Sequence, residues 1–208
     1  MFKMLLLTVW LLWIAGVATA GIIDPCRSTT VFNGTAPEYY LACPKGDTES
    51  FLQAGFSFSF RMIDLAGSPI SNIPGTDFWL IDCDPARNLI LCAGSASSNA
   101  DSSTNYDGRT TMSQTTLSVG GCANGLSPVC QGYVLQHGWP SCTDHCFDVR
   151  VRCADQNGDL QLNVGDVAMF ASRYPPHAYN ECGDLNFDGQ VSLADLSRLA
   201  AHYYHRCE

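Results

Sequence analysis

Catalytic signatures are missing from this chain. It has no G-x-S-x-G elbow, no H-E-x-x-H pair and no phosphate-cradling glycine loop. Between Gly21 and Arg152 the only glutamates are Glu38 and Glu49, and the aspartates there fall mostly in turns. A glycosidase needs two opposed carboxylates, and this stretch does not offer an obvious pair. Basic residues are scarce too: 11 Lys+Arg stand against 20 Asp+Glu, a formal net charge of −9. Nucleic acid and anionic membranes both require a basic face, so neither is expected as a partner. No C-x-x-C spacing occurs, although Cys142, His145 and Cys146 come close to a zinc pattern. After Val17 no apolar run is long enough to span a bilayer. These deficits predict a protein that is not an enzyme, binds no nucleic acid and has no membrane span.

What is present points outward from the cell. Lys3 precedes an apolar run from Leu5 to Val17, which closes on Ala18-Thr19-Ala20. A basic start, a short apolar core and an A-x-A end describe a secretory signal peptide over residues 1–20. Eleven cysteines agree with an oxidising compartment, and their odd number leaves at least one thiol unpaired within the chain. Cys182 and Cys207 flank one loop–helix element and are expected to pair. Cys83 and Cys92 are expected to close a hairpin, with pairing elsewhere as the alternative. His137, Trp139 and His145 lie near Cys142 and Cys146 in a loop expected to be disulfide-bound. Asn33-Gly34-Thr35 is a single N-glycosylation sequon.

The most informative feature is a repeat near the C-terminus. Residues 155–166 place Asp155, Asn157, Asp159, Asn163 and Asp166 at positions 1, 3, 5, 9 and 12 of a twelve-residue loop, with Gln161 at position 7. Residues 184–195 repeat the pattern with Asp184, Asn186, Asp188, Ser192 and Asp195, and Gln190 at position 7. Calcium takes six to eight oxygen ligands, and this alternation wraps them round one centre; the position-7 residue contributes its backbone carbonyl. Two calcium ions are therefore expected. A helix pattern follows each loop: Val167, Phe170, Ala171 and Tyr174 before Pro175-Pro176, then Leu196, Leu199, Ala200 and Tyr203. Leu162 and Val191, both at position 8, are expected to join the loops by a short strand contact. Leu160 at position 6, where Gly189 stands in the second copy, is expected to weaken the first site. His202 and His205 form a pair in the last turn, readable as helix-end charges or as metal ligands.

This paired-loop pattern over residues 153–207 resembles a type I dockerin, a module of two calcium loops each followed by a helix. The resemblance implies the ligand sets just named. Dockerins that bind cohesins present Ser-Thr at positions 10 and 11, and a Lys-Arg pair further along the helix. This chain has Val164-Gly165 and Leu193-Ala194, then Ala171-Ser172 and Ala200-Ala201. The recognition face is apolar, so standard cohesin binding is not implied.

From Gly21 to Arg152 the chain reads as short strands broken by turns. Phe56–Met62 alternates cleanly, and Phe78–Ile81, Leu89–Cys92, Thr110–Ser113, Gly132–Gln136 and Phe147–Val151 follow. Many short strands with regular turns indicate a β-sandwich. The segments Asp64-Leu65-Ala66-Gly67-Ser68-Pro69-Ile70 and Asn105–Thr111 resemble turns of bacterial immunoglobulin-like adhesin domains, which implies a spacer or assembly role. Residues 93–118, rich in Ser, Thr and Asn, read as an exposed loop or an O-glycosylated stretch.

The expected architecture is mainly β: an immunoglobulin-like β-sandwich over 21–152 followed by a small α-helical dockerin-like calcium module over 153–208. The expected function is that of a secreted calcium-binding structural subunit that self-associates into an extracellular filament or surface layer. The alternative is an adhesion or carbohydrate-binding module of a polysaccharide-degrading system, with a cohesin-like or glycan partner.

Overall fold

The computed structural model describes residues 21–35, 38–83, 89–92, 99–130, 133–135 and 146–207. The chain is mainly β, with two α-helices near its end. Strands β1 (Thr29–Asn33), β3 (Ser57–Arg61) and β6 (Arg109–Met112) form a three-stranded sheet in the order β1-β3-β6. A larger sheet runs β2 (Glu38–Ala42), β10 (Phe147–Cys153), β8 (Cys122–Cys130), β4 (Phe78–Asp82), with β9 (Tyr133–Val134) also paired to β8. A two-stranded pair joins β5 (Ile90–Leu91) to β7 (Val119–Gly120). Pairing is antiparallel except that β10 runs parallel to β2.

Alternation along the strands builds the core. Phe58 and Phe60 of β3 are buried while Ser57 and Ser59 are not, and Phe78 and Leu80 do the same on β4. Rings from the two sheets meet: Phe58 lies 5.5 Å from Phe147, and Phe60 5.2 Å from Phe78, centroid to centroid. Tyr40, Phe51 and Phe56 extend this aromatic cluster, and the Tyr40 hydroxyl donates to the Glu49 carbonyl at 2.6 Å. Burying these rings removes most of the apolar surface that the short strands would otherwise expose.

Expected strands at Phe56–Met62, Phe78–Ile81, Thr110–Ser113 and Phe147–Val151 are present within a residue or two. Strand β8 is the main addition. Its sequence contains Asn124, Gly125 and Pro128, which read as breakers, yet it lies at the centre of the larger sheet. Pro128 stands opposite Leu80 within the β4 ladder, while its carbonyl accepts from Leu135 N on the other edge, beyond the part of β8 paired with β10 (122–126). Gly125 (φ +155°) lies under the Cys83–Cys146 disulfide, where any Cβ would collide with Cys146 Sγ.

The polar stretch around residues 99–118 is not a uniformly exposed loop. Thr104 is buried and its hydroxyl bridges Ile73 N and Ile70 O; Thr110 and Thr115 donate to the carbonyls of Ser102 and Asn99. These hydroxyls hold the chain internally, because each satisfies a backbone group away from water. Residues 93–98 of the same stretch lie outside the described residues, as do residues 1–20, where a signal peptide is expected, and His137, Trp139, Cys142 and His145.

Both expected disulfides are corrected. Cys83 pairs with Cys146, Cys92 with Cys207 and Cys122 with Cys182, with Cα separations of 5.9, 5.6 and 5.8 Å. Closeness in sequence misled because the chain end returns to the sheet. Cys43, Cys130 and Cys153 are free and buried. Among the described residues no helix is long and apolar enough to cross a membrane.

Candidate metal centre

The two loops are held against the outer face of the larger sheet. On β2, β10 and β8, residues pointing away from the aromatic core form two rows across the strands. One row is Tyr39–Arg150–Asn124 and the other Leu41–Arg152–Cys122. The C-terminal unit docks on both. Tyr39 packs on Phe187 at 5.0 Å and receives the Arg150 guanidinium over its ring at 5.6 Å. Asn124 Nδ2 donates to Glu181 Oε1 at 2.8 Å, Arg152 meets Glu181 Oε2 at 3.4 Å, and Cys122 is disulfide-bonded to Cys182. Leu41 packs against a second apolar cluster formed by Cys43, Ala154, Leu162, Phe170, Leu185, Val191 and Leu199.

Within each loop the side chains curl the backbone inward. Asp155 Oδ1 accepts from Gly158 N at 2.8 Å and Oδ2 from Leu160 N at 2.8 Å. Asp184 accepts from Asp188 N at 3.1 Å and from Gly189 N at 2.9 Å. Asn157 and Asn186, at position 3, accept from the amides of Asp159 and Asp188; Asp159 and Asp188 accept from those of Gln161 and Gln190. Such Asx turns put successive side-chain oxygens on the concave side of the loop.

Helix α1 (Val164–Arg173) leaves the first loop and α2 (Leu193–Ala201) the second. Each starts with a capping box made from two expected ligands: Asn163 with Asp166, and Ser192 with Asp195. The helix-borne carboxylates also reach back over the loop entry. Asp166 Oδ1 accepts from Gln156 N and Asn157 N, and Asp195 Oδ1 from Leu185 N and Asn186 N, at 2.8–3.2 Å. Both aspartates are fully buried. Asp166 and Asp195 therefore reach the loops from the first turn of the following helices.

The first loop is drawn together more tightly than the second. Asp155, Asp159 and Asp166 each bring a carboxylate oxygen within 4.8 Å of the others, a set of hard oxygen donors that could hold a metal ion. Burial, reinforced by the facing Asp166 carboxylate, pushes Asp155 well above the usual carboxylate range. A cation there would offset that repulsion. The corresponding aspartates of the second loop are not gathered so closely, and Asp184 Oδ2 is also bonded by the Tyr179 hydroxyl at 2.9 Å.

One sequence expectation is corrected here, and the backbone reason behind another does not separate the two loops. Leu160 does adopt a left-handed backbone (φ +66°), but so does Phe187 (φ +61°) in the second loop. Each loop needs that conformation at positions 4 and 6. Each fills one with glycine (Gly158 at position 4, Gly189 at position 6) and the other with a side-chain residue. The first loop is therefore not singled out by strain. Nor do Leu162 and Val191 bridge the loops. The first loop pairs with the chain end instead, through Gln161↔Arg206, with Leu162 N donating to His205 O at 2.7 Å and Tyr204 N to Leu162 O at 3.0 Å. Leu162 and Val191 share only the apolar cluster beneath.

Sequence reading missed the contribution of the sheet. Gly121 N donates to the Asp155 carbonyl at 2.9 Å, and a Cβ on Gly120 would run into the Asp155 carboxylate. The Gly120-Gly121 pair is the signal that was available, since glycine inside a strand marks close approach of another group. No protein-family model, curated protein or solved structure matches the chain.

Proposed function

We propose that residues 153–207 form a dockerin-like module that binds two calcium ions, and that the protein is a secreted, non-enzymatic structural subunit. The observation that carries the calcium reading is the repetition of one hydrogen-bonded loop design, each closed by a buried aspartate from the first turn of its helix. Asp155, Asn157, Asp159, the Gln161 carbonyl, Asn163 and Asp166 would hold the first ion. Asp184, Asn186, Asp188, the Gln190 carbonyl, Ser192 and Asp195 would hold the second. Calcium supplies charge neutralisation and a fixed geometry; these residues supply the oxygens and the turn.

Self-association is supported by what the module exposes. Val164 and Leu193, at the first helical position after each loop, are 71% and 66% exposed. A groove lined by Val167, Phe170, Tyr174, Pro175, Leu193 and Leu196 lies between the helices. Apolar groups gathered on a small unit mark a contact surface. In this reading the β part, which resembles immunoglobulin-like adhesin spacers, sets the distance between contacts. Calcium keeps the contact face in shape.

Light scattering on the purified mature chain, with and without calcium, tests this. Concentration-dependent assembly that Val164→Ser with Leu193→Ser abolishes is expected. A monomer under all conditions that binds a cohesin or a polysaccharide tightly would transfer the protein to the adhesion-module reading.

A further inference from the structure

Away from the calcium loops, a second group of metal-binding side chains comes together where the chain end meets the sheet. Cys43 follows β2 and is fully buried, and Asp47 lies beyond the turn closed by Gly46 N to Cys43 O. His202 ends helix α2, and His205 follows one turn later with its carbonyl fixed by Leu162 N. Each of the four brings one ligand atom within 4.8 Å of the others. Cys43 Sγ is 3.1 Å from His205 Nδ1, which is 3.3 Å from Asp47 Oδ1.

Those separations suit a single tetrahedral ion. Zinc bonds sulfur at about 2.3 Å and imidazole or carboxylate at about 2.0–2.2 Å, so neighbouring ligand atoms on a tetrahedron stand roughly 3.3–3.6 Å apart. A second observation points the same way. His202 Nδ1 is shut off from solvent and has no hydrogen-bond partner, an arrangement that buried polar atoms rarely keep. Cys43 is one of three free buried thiols, with Cys130 and Cys153, and of these it alone belongs to the four-residue group.

We propose that Cys43, Asp47, His202 and His205 form a site for a divalent transition metal, with zinc as the matching ion. The mixed sulfur, nitrogen and oxygen donors exclude calcium and magnesium, which take oxygen ligands. Four protein ligands leave no open position, so the site is structural. It ties the segment after β2 to the last turn of the chain, next to the Cys92–Cys207 disulfide, whose Cys92 sulfur lies 3.1 Å from the Pro44 carbonyl. The site does not depend on the calcium reading, because it shares no residue with either loop.

The test uses the mature, untagged chain in excess calcium, with cobalt(II) as a spectroscopic probe. One equivalent is expected to give tetrahedral d–d bands and a sulfur-to-cobalt charge-transfer band, both discharged by one equivalent of zinc. Cys43→Ser is expected to lose the charge-transfer band while Cys130→Ser retains it. Asp47→Ser, at an exposed position, and His205→Gln are expected to weaken zinc binding about tenfold or more while keeping the native circular dichroism. Absence of the sulfur band in the parent chain would overturn the proposal, as would its persistence in Cys43→Ser. If Cys43→Ser does not fold, unchanged zinc affinity in both other variants overturns it.

Discussion

Leu160 and Phe187 adopt the same left-handed backbone, φ +66° and +61°, at complementary positions of two otherwise matched loops. Such a conformation costs a side-chain residue roughly 1–2 kcal/mol; glycine removes that strain but gives back about 0.5–1 kcal/mol of the gain through its greater chain entropy. Phe187 is also held by its ring contact with Tyr39. Leu160→Gly is therefore expected to leave the melting temperature unchanged or raise it slightly. Phe187→Gly is expected to lower it by the equivalent of about 1 kcal/mol, the scale of one aromatic pair. Thermal melts of both variants in calcium check this.

Gly120 leaves no room for a side chain beside Asp155. Gly120→Ala must push the Asp155 carboxylate out of the first loop while the second loop is untouched. One of the two calcium sites is expected to weaken at least tenfold, a shift of about 1.4 kcal/mol. Calorimetric titration would show two unequal sites in the variant. Unchanged binding would mean that Asp155 is not held by the sheet.

Arg152 is buried and bonded to the carbonyls of Ala123 and Val151 as well as to Glu181. Removing it takes a charged donor away from both carbonyls and ends the Arg152 contact with Glu181. Arg152→Ala is expected to destabilise the chain by about 3 kcal/mol, in the range for breaking a buried pair. Glu181→Gln should cost no more than about 1 kcal/mol, since Glu181 is a third exposed and its amide can still accept. Urea unfolding of the two variants separates these values.

Non-reducing peptide mapping is expected to recover Cys122–Cys182 and Cys92–Cys207, and no Cys182–Cys207 peptide. The two links span 60 and 115 residues, worth roughly 4–5 kcal/mol each in the chain-entropy model. With both intact, the C-terminal unit and the β part should unfold in one transition. After mild reduction, the calcium-free protein should show two.

The parts legible in the sequence were those governed by short-range pattern. Alternation from Ser57 to Arg61 gave a strand, and the Asp/Asn spacing of 155–166 and 184–195, with the apolar pattern after each, gave two curled loops followed by helices. Long-range relationships were not legible. Asn124, Gly125 and Pro128 disguised the central strand, because they read as turn residues although Asn124 pairs with Arg150 and Pro128 with Leu80. The chain end folds back on Leu162, which takes Cys207 away from Cys182 and brings His205 to Cys43. Neither contact has a periodic signature. The outward rows on β2, β10 and β8 needed the register of three strands, one of them parallel, before they could be seen as one docking face.

The central claim is that both loops bind calcium, and calorimetric titration of the chelator-treated mature chain tests it most directly. Two equivalents are expected for the parent and one each for Asp155→Ala and Asp184→Ala, with a melting temperature that rises on calcium addition. The loss in Asp155→Ala should be at least as large as in Asp184→Ala, since the first loop is the more closely assembled. No heat of binding, together with superimposable melts in calcium and in chelator, would contradict the account.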